Sequence, residues 1–156
     1  MLIGHIAVAL LERRYLGTDL APTVLGALYP DILDKTLYQV LHVTPNGRMW
    51  GHTLLSVGIS TLFVRAAAGP RAARSWVLGY MGHLLADTAG TVPWWYPFRS
   101  YAFEPSPGFA EILEHYFEDR RKVALELVLL LWALVAFAVP LRRSLVWRSF
   151  SRASSR

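Results

Sequence analysis

The chain has 156 residues, room for one domain, and 54% of them are hydrophobic with a mean hydropathy of +0.32. Soluble domains sit near about 45–50% apolar, so the excess points toward lipid. The absence of cysteine excludes disulfides, thiolate metal sites and cysteine nucleophiles, and the net charge of +5 lies mostly in short loops and the C-terminal segment. Lipid phosphates and the positive-inside rule account for that placement better than nucleic acid does, so no nucleic-acid partner is expected.

In chain order, Met1-Leu2-Ile3-Gly4-His5 has no basic n-region, and Arg13-Arg14 follows the apolar run instead of preceding it. Residues 1–16 are therefore expected to be retained rather than cleaved as a signal peptide. Leu2–Leu11 and Leu20–Leu33 predict short apolar helices that cross a bilayer only with tilt or local thinning. Leu37–Val43, which contains His42, reads as a surface or re-entrant stretch, and Thr44-Pro45-Asn46-Gly47 is a break. Thr53–Ala68 predicts a helix in which Arg65 snorkels and Ser56 and Ser60 pack against a neighbour.

After the Gly69-Pro70 break, Ser75–Ala89 predicts a further helix carrying His83 and Asp87. Trp94, Trp95, Tyr96, Phe98 and Tyr101 read as an interfacial belt. Glu111, Glu114, His115, Glu118 and Asp119 read as an acidic, solvated helix; its i, i+4 pairs with His115 are also a metal-ligand pattern. Val123–Leu141, closed by Pro140 and Arg142-Arg143, is the strongest span, with Glu126 its only ionisable residue. The expected fold is an all-α, polytopic membrane helical bundle of about five helices in residues 1–143, followed by a basic, disordered cytoplasmic tail at 144–156.

If the chain crosses at each predicted helix, one side holds Arg13, Arg14, Arg65, Arg71, Arg74, Arg142, Arg143, Arg148, Arg152 and Arg156. The other holds Lys35, Arg48, Arg99, Arg120, Arg121, Lys122 and most of the acids. The positive-inside rule makes the first side cytoplasmic, with the C-terminus inside.

On that topology His5, Asp31, Asp34, His52, His83 and Asp87 all fall near the outer face. Ionisable groups in membrane helices are costly and are functional candidates by default. Taken singly, each has a plain reading: His83 and Asp87 as a hydrogen-bonded i, i+4 couple, Asp31 and Asp34 as helix-end turn chemistry, and His52 as a polar residue at a helix start. Taken together they offer the nitrogen and oxygen ligands suited to zinc first, then manganese, as one or two ions. No GxSxG elbow, Walker loop, GxGxxG turn or HExxH motif is present.

His5, the run Gly26 to Lys35 with Pro30-Asp31-Ile32-Leu33-Asp34, Gly51-His52-Thr53, Gly79 to Asp87 with His83, and Trp95-Tyr96-Pro97-Phe98 resemble, in that order, the YdjM-like membrane-bound metal-dependent hydrolases. The resemblance covers roughly residues 1–100 and implies a bacterial or archaeal cytoplasmic-membrane protein, in a family of which some members are under LexA control. The chain departs from the family pattern at PDxDH, where Lys35 follows Asp34, and at THS, where it has Gly51-His52-Thr53. The ligand order is also similar, more distantly, to zinc-dependent phospholipases C and single-strand zinc nucleases; their later HxxxE falls on His115 and Asp119 only with Asp in place of Glu.

The expectation is therefore a membrane-bound, metal-dependent hydrolase acting on a phosphoester such as a lipid head group. His5, Asp31, His52, His83 and Asp87 are its expected ligands, and Asp34 a further ligand or the general base. The rival is a non-enzymatic metal-binding or scaffold protein, whose metal would be saturated by protein ligands. A transporter is disfavoured because its polar residues belong at mid-bilayer on broken helices.

Overall fold

A computed structural model describes residues 4–87, 92–105 and 118–139. Among these every regular element is helical: α1 (Gly4–Leu16), α2 (Leu20–Lys35), a π-helical turn (Thr36–Val40), α3 (Leu54–Ala86) and α4 (Arg120–Ala138). Most of the predicted acidic helix, the end of the span at 140–141 and the tail at 144–156 lie outside the described residues.

Helix α1 continues past the expected end at Leu11 through Glu12, Arg13 and Arg14. It stops at Gly17, whose φ of 66° suits a residue without Cβ, and the Gly17 N–H donates to the Arg13 carbonyl at 3.2 Å. Asp19 precedes α2 in an extended conformation. It leaves the helix N-terminus uncapped because its carboxylate is held by Arg71 at 2.9 Å.

Helix α3 is a hairpin. At Gly69 the backbone leaves the helix at φ 83°, ψ 175°, and Pro70 opens the second arm. The arms 54–68 and 70–86 run antiparallel, with the Trp76 indole N–H donating to the Ser60 hydroxyl at 3.1 Å and the Tyr80 hydroxyl 2.9 Å from that of Ser56. The two helices expected around Gly69-Pro70 are present, the second starting before Ser75.

The second arm packs backbone to backbone on α2. Gly26 lies against the Trp76 carbonyl and Gly79 against the Thr23 carbonyl, each so closely that a Cβ would overlap. Beside this seam Trp76, Tyr80, Leu84, Val57 and Val92 form one apolar cluster with Tyr29 packed on it. Ala7, Leu11, Ala133 and Ala136 form a second, between α1 and α4. Helix α4 lies parallel to α1: the Glu126 carboxylate accepts from the Gly4 N–H at 3.3 Å, and further along the Trp132 indole donates to the Tyr15 hydroxyl at 3.2 Å.

The exterior inverts the usual sorting. Leu25, Leu62, Phe63, Leu131, Leu134 and Phe137 are exposed, whereas His5, Asp34, His52, His83, Asp87 and Glu126 are buried. Among the described residues no helix is long and apolar enough to cross a membrane. At about 1.5 Å per residue, the 13 residues of α1 and 16 of α2 reach only about 20 and 24 Å against a core of about 30 Å. Helix α4 has 19 residues but begins Arg120-Arg121-Lys122 and carries Glu126.

Candidate metal centre

The topology gathers four helix ends at one end of the bundle. His5 starts α1, Asp31 and Asp34 close α2, His52 precedes α3, and His83 and Asp87 close its second arm. The side chains of His5, Asp31, His52, His83 and Asp87 converge there in two overlapping groups of metal-ligand character, His5–His83–Asp87 and Asp31–His52–His83. His52 Nε2 lies 3.2 Å from His83 Nε2, 3.8 Å from Asp31 Oδ1 and 3.7 Å from Asp87 Oδ2. His5 Nε2 lies 3.5 Å from Asp87 Oδ1, and the His5 ring stacks on that of His83 at 3.8 Å.

The His83 and His52 rings are aimed by their other nitrogens. The Ala27 carbonyl is 2.6 Å from His83 Nδ1, and the Asp34 carboxylate is 2.8 Å from His52 Nδ1. A carbonyl only accepts, so His83 Nδ1 carries hydrogen and its Nε2 lone pair faces the centre. His52 is set the same way by Asp34. Two lone-pair nitrogens 3.2 Å apart, beside two carboxylates, repel unless a metal ion sits among them or a proton on one ring makes the contact a hydrogen bond. Burial works against a charged His52 ring, but its hydrogen bond to Asp34 and the nearby Asp87 and Asp31 carboxylates outweigh burial and raise its pKa. Both ring nitrogens of His5 are buried without a hydrogen-bond partner, an arrangement costly in a folded interior and fitted to a metal.

Asp34 takes a different place from the one its motif implied. It lies behind His52, outside both ligand groups. Its Oδ1 accepts from the Gly51 N–H at 2.7 Å, and its Oδ2 accepts from the Met49 N–H at 2.7 Å as well as holding the His52 ring. One buried carboxylate thus pins the loop before α3 and sets the His52 tautomer, the usual task of a carboxylate behind a metal-bound histidine.

The loop also delivers Arg48, whose guanidinium meets Asp87 Oδ2 at 2.8 Å. The sequence marked Arg48 only as a charge; its closeness to His52 in the chain was the one available signal. Ala27 was silent, since a backbone carbonyl has no residue signature. Tyr80 donates to the Gly51 carbonyl at 2.5 Å, fastening the same loop to α3. Lys35, where the family pattern has histidine, meets Asp31 Oδ2 at 2.7 Å. His42 is exposed and apart from the cluster, as expected of a surface residue. His115 lies outside the described residues, so the second ligand pattern stays at the level of sequence.

Fold and site together define a helical protein with an apolar exterior and a buried His/Asp cluster of metal-ligating type. The family model for the YdjM inner membrane protein matches residues 1–145, and the chain belongs to that family. No curated protein and no solved structure matches the chain.

Proposed function

We propose that the chain is a polytopic inner-membrane hydrolase whose His/Asp centre holds a divalent metal, zinc first, and acts on a phosphoester such as a lipid head group. The observation that carries the reading is the convergence of His5, His52 and His83 on Asp31 and Asp87, with both His5 ring nitrogens buried and without a hydrogen-bond partner. Donors in one coordination shell of about 2.1 Å radius are at most about 4.2 Å apart. The donors form two overlapping groups of three that share His83, with separations of 3.2 to 4.0 Å, so each group suits an ion and the centre suits one or two.

A divalent cation there supplies Lewis acidity and acidifies water at neutral pH, the chemistry that metal-dependent hydrolysis needs. The chain's own residues do the rest. Asp34 is a positioning residue that holds His52. Asp31 is the one residue of the five that is not buried, so water and substrate approach past it. Supporting the membrane reading, exposed leucines and phenylalanines surround an interior that holds buried histidines and carboxylates beside its apolar clusters, the reverse of what water favours. Arg13, Arg14 and Arg71 gather at the end away from the centre, consistent with an outward-facing site and a cytoplasmic C-terminus.

Three donors in either group leave one position of a four-coordinate zinc ion for water or substrate, whereas a non-enzymatic metal protein would leave none. The test is metal analysis of the purified protein combined with a screen of phosphomonoester and phosphodiester lipids. Stoichiometric metal with turnover is expected. Protein that holds no divalent metal overturns the reading, and stoichiometric metal without turnover transfers it to a structural metal protein.

A further inference from the structure

Two cations flank the centre, and neither is among its five donors. Lys35 Nζ is 2.7 Å from Asp31 Oδ2, and Arg48 is 2.8 Å from Asp87 Oδ2. Their side chains are 44% and 40% exposed, although Asp87 beneath is 3% exposed. Beside Lys35, between α2 and the π-helical turn, lies an open cleft of about 410 Å³ lined by Leu28, Asp31, Ile32, Lys35, Gln39 and Val40. Asp31 joins the two places: its Oδ1 faces His52 and His83 while its residue borders the cleft. The cleft's lip is apolar, with Ile32 58% and Val40 68% exposed.

Charge decides what such a place accepts. Asp31, Asp34 and Asp87 carry three negative charges against two positive on Lys35 and Arg48. The empty centre is therefore no anion site, and a divalent ion turns the local sum to about +1 with both cations at the rim. A guanidinium and an ammonium at a metal's edge match phosphate oxygens, and exposed aliphatic side chains next to the ammonium match an acyl chain.

We propose that Lys35 and Arg48 form a metal-dependent phosphate clamp, and that Ile32 and Val40 select a phosphate-bearing acyl lipid over a soluble phosphoester. This rests on the metal-centre reading. On substrate binding, Lys35 and Arg48 donate to the phosphate while Asp31 and Asp87 remain at the ion.

The experiment uses the full chain in nanodiscs, with zinc content measured in every sample. Calorimetry records binding of inorganic phosphate and of a short-chain phosphatidic acid, with and without zinc. Zinc-loaded wild type is expected to bind both ligands, and zinc-free protein neither. Lys35→Gln and Arg48→Gln should keep zinc and weaken both ligands about 10–100-fold, the effect of losing a hydrogen bond from a charged donor. Ile32→Ala and Val40→Ala shorten exposed side chains and keep them apolar, so folding is kept; they should weaken the lipid about tenfold and leave inorganic phosphate unchanged. Phosphate affinity unchanged in both cation variants at full zinc content overturns the clamp. Equal lipid and phosphate affinities in the Ile32 and Val40 variants, matching wild type, overturn the lipid assignment. Failure of wild type to take up zinc sinks the underlying metal reading. Phosphate binding that then persists and is lost in Arg48→Gln sustains a clamp that needs no metal and overturns the metal dependence proposed here.

Discussion

The two ends of the bundle are both charged, and they are built on opposite principles. At one end Arg71 meets Asp19 with both partners in reach of water, the arginine side chain 82% exposed. Such pairs contribute about 0–1 kcal/mol. At the other end three histidines and two aspartates converge, four of the five fully buried, with His5 nitrogens unpartnered. Removing ionised groups from water costs several kcal/mol each unless they are paired. A fold that keeps such a cluster keeps it against its own stability, and that contrast is what favours the proposed metal centre over a purely structural role for these residues.

The sharpest way to break this contrast is His83→Ala. His83 belongs to both ligand groups, so its loss should abolish stoichiometric zinc, a weakening of at least about 100-fold by equilibrium dialysis. The exposed His42→Ala should change nothing, and equal losses in the two variants would show that the centre is wrongly placed.

Asp34→Asn comes next. An amide keeps the shape but no longer fixes the His52 tautomer by charge, so zinc affinity should fall about 10–100-fold, with activity falling in parallel. Retained zinc with turnover down about 10²–10⁴ would instead make Asp34 the general base. Acid should weaken zinc in the wild type as well. Because the His52 pKa is raised, its proton persists above the ordinary value of about 6.5 and competes with metal from that higher pH downward. Zinc affinity that is flat from pH 8 to pH 5 would remove His52 from the ligand set.

Gly79→Ala tests whether the centre depends on the α2 seam. Its Cβ meets backbone at Thr23, which cannot rotate away, so a destabilisation of about 1–3 kcal/mol is expected in thermal unfolding. An unchanged melting temperature would show that the two helices separate without cost. The smallest effect belongs to the far end: Arg71→Met should cost less than about 1 kcal/mol and leave zinc binding intact. A large loss of zinc there would mean that the two ends are coupled.

Much of the centre was legible in the sequence because helix ends are. Once the 44–47 turn and the Gly69-Pro70 break are placed between the apolar runs, antiparallel helices bring His5, Asp31, His52, His83 and Asp87 to one end whatever the packing details. What the linear pattern could not supply was direction. Asp31 and Asp34 lie one turn apart on α2, yet one faces the histidines and the other lies beneath the loop. That division depends on Met49 and Gly51 presenting backbone N–H groups, and backbone groups look alike at every residue.

By itself, then, the sequence determined the helical class, the apolar exterior, the hairpin at Gly69 and the residues that meet, because hydrophobic periodicity and chain breakers act locally. Only the tertiary structure decided that Asp34 orients rather than faces the centre, that Arg48 and Lys35 stand at its rim, and that Ala27 sets the His83 tautomer. Those depend on long-range hydrogen bonds and on how closely α2 approaches α3 at Gly26 and Gly79, a separation that two glycines permit but do not by themselves specify.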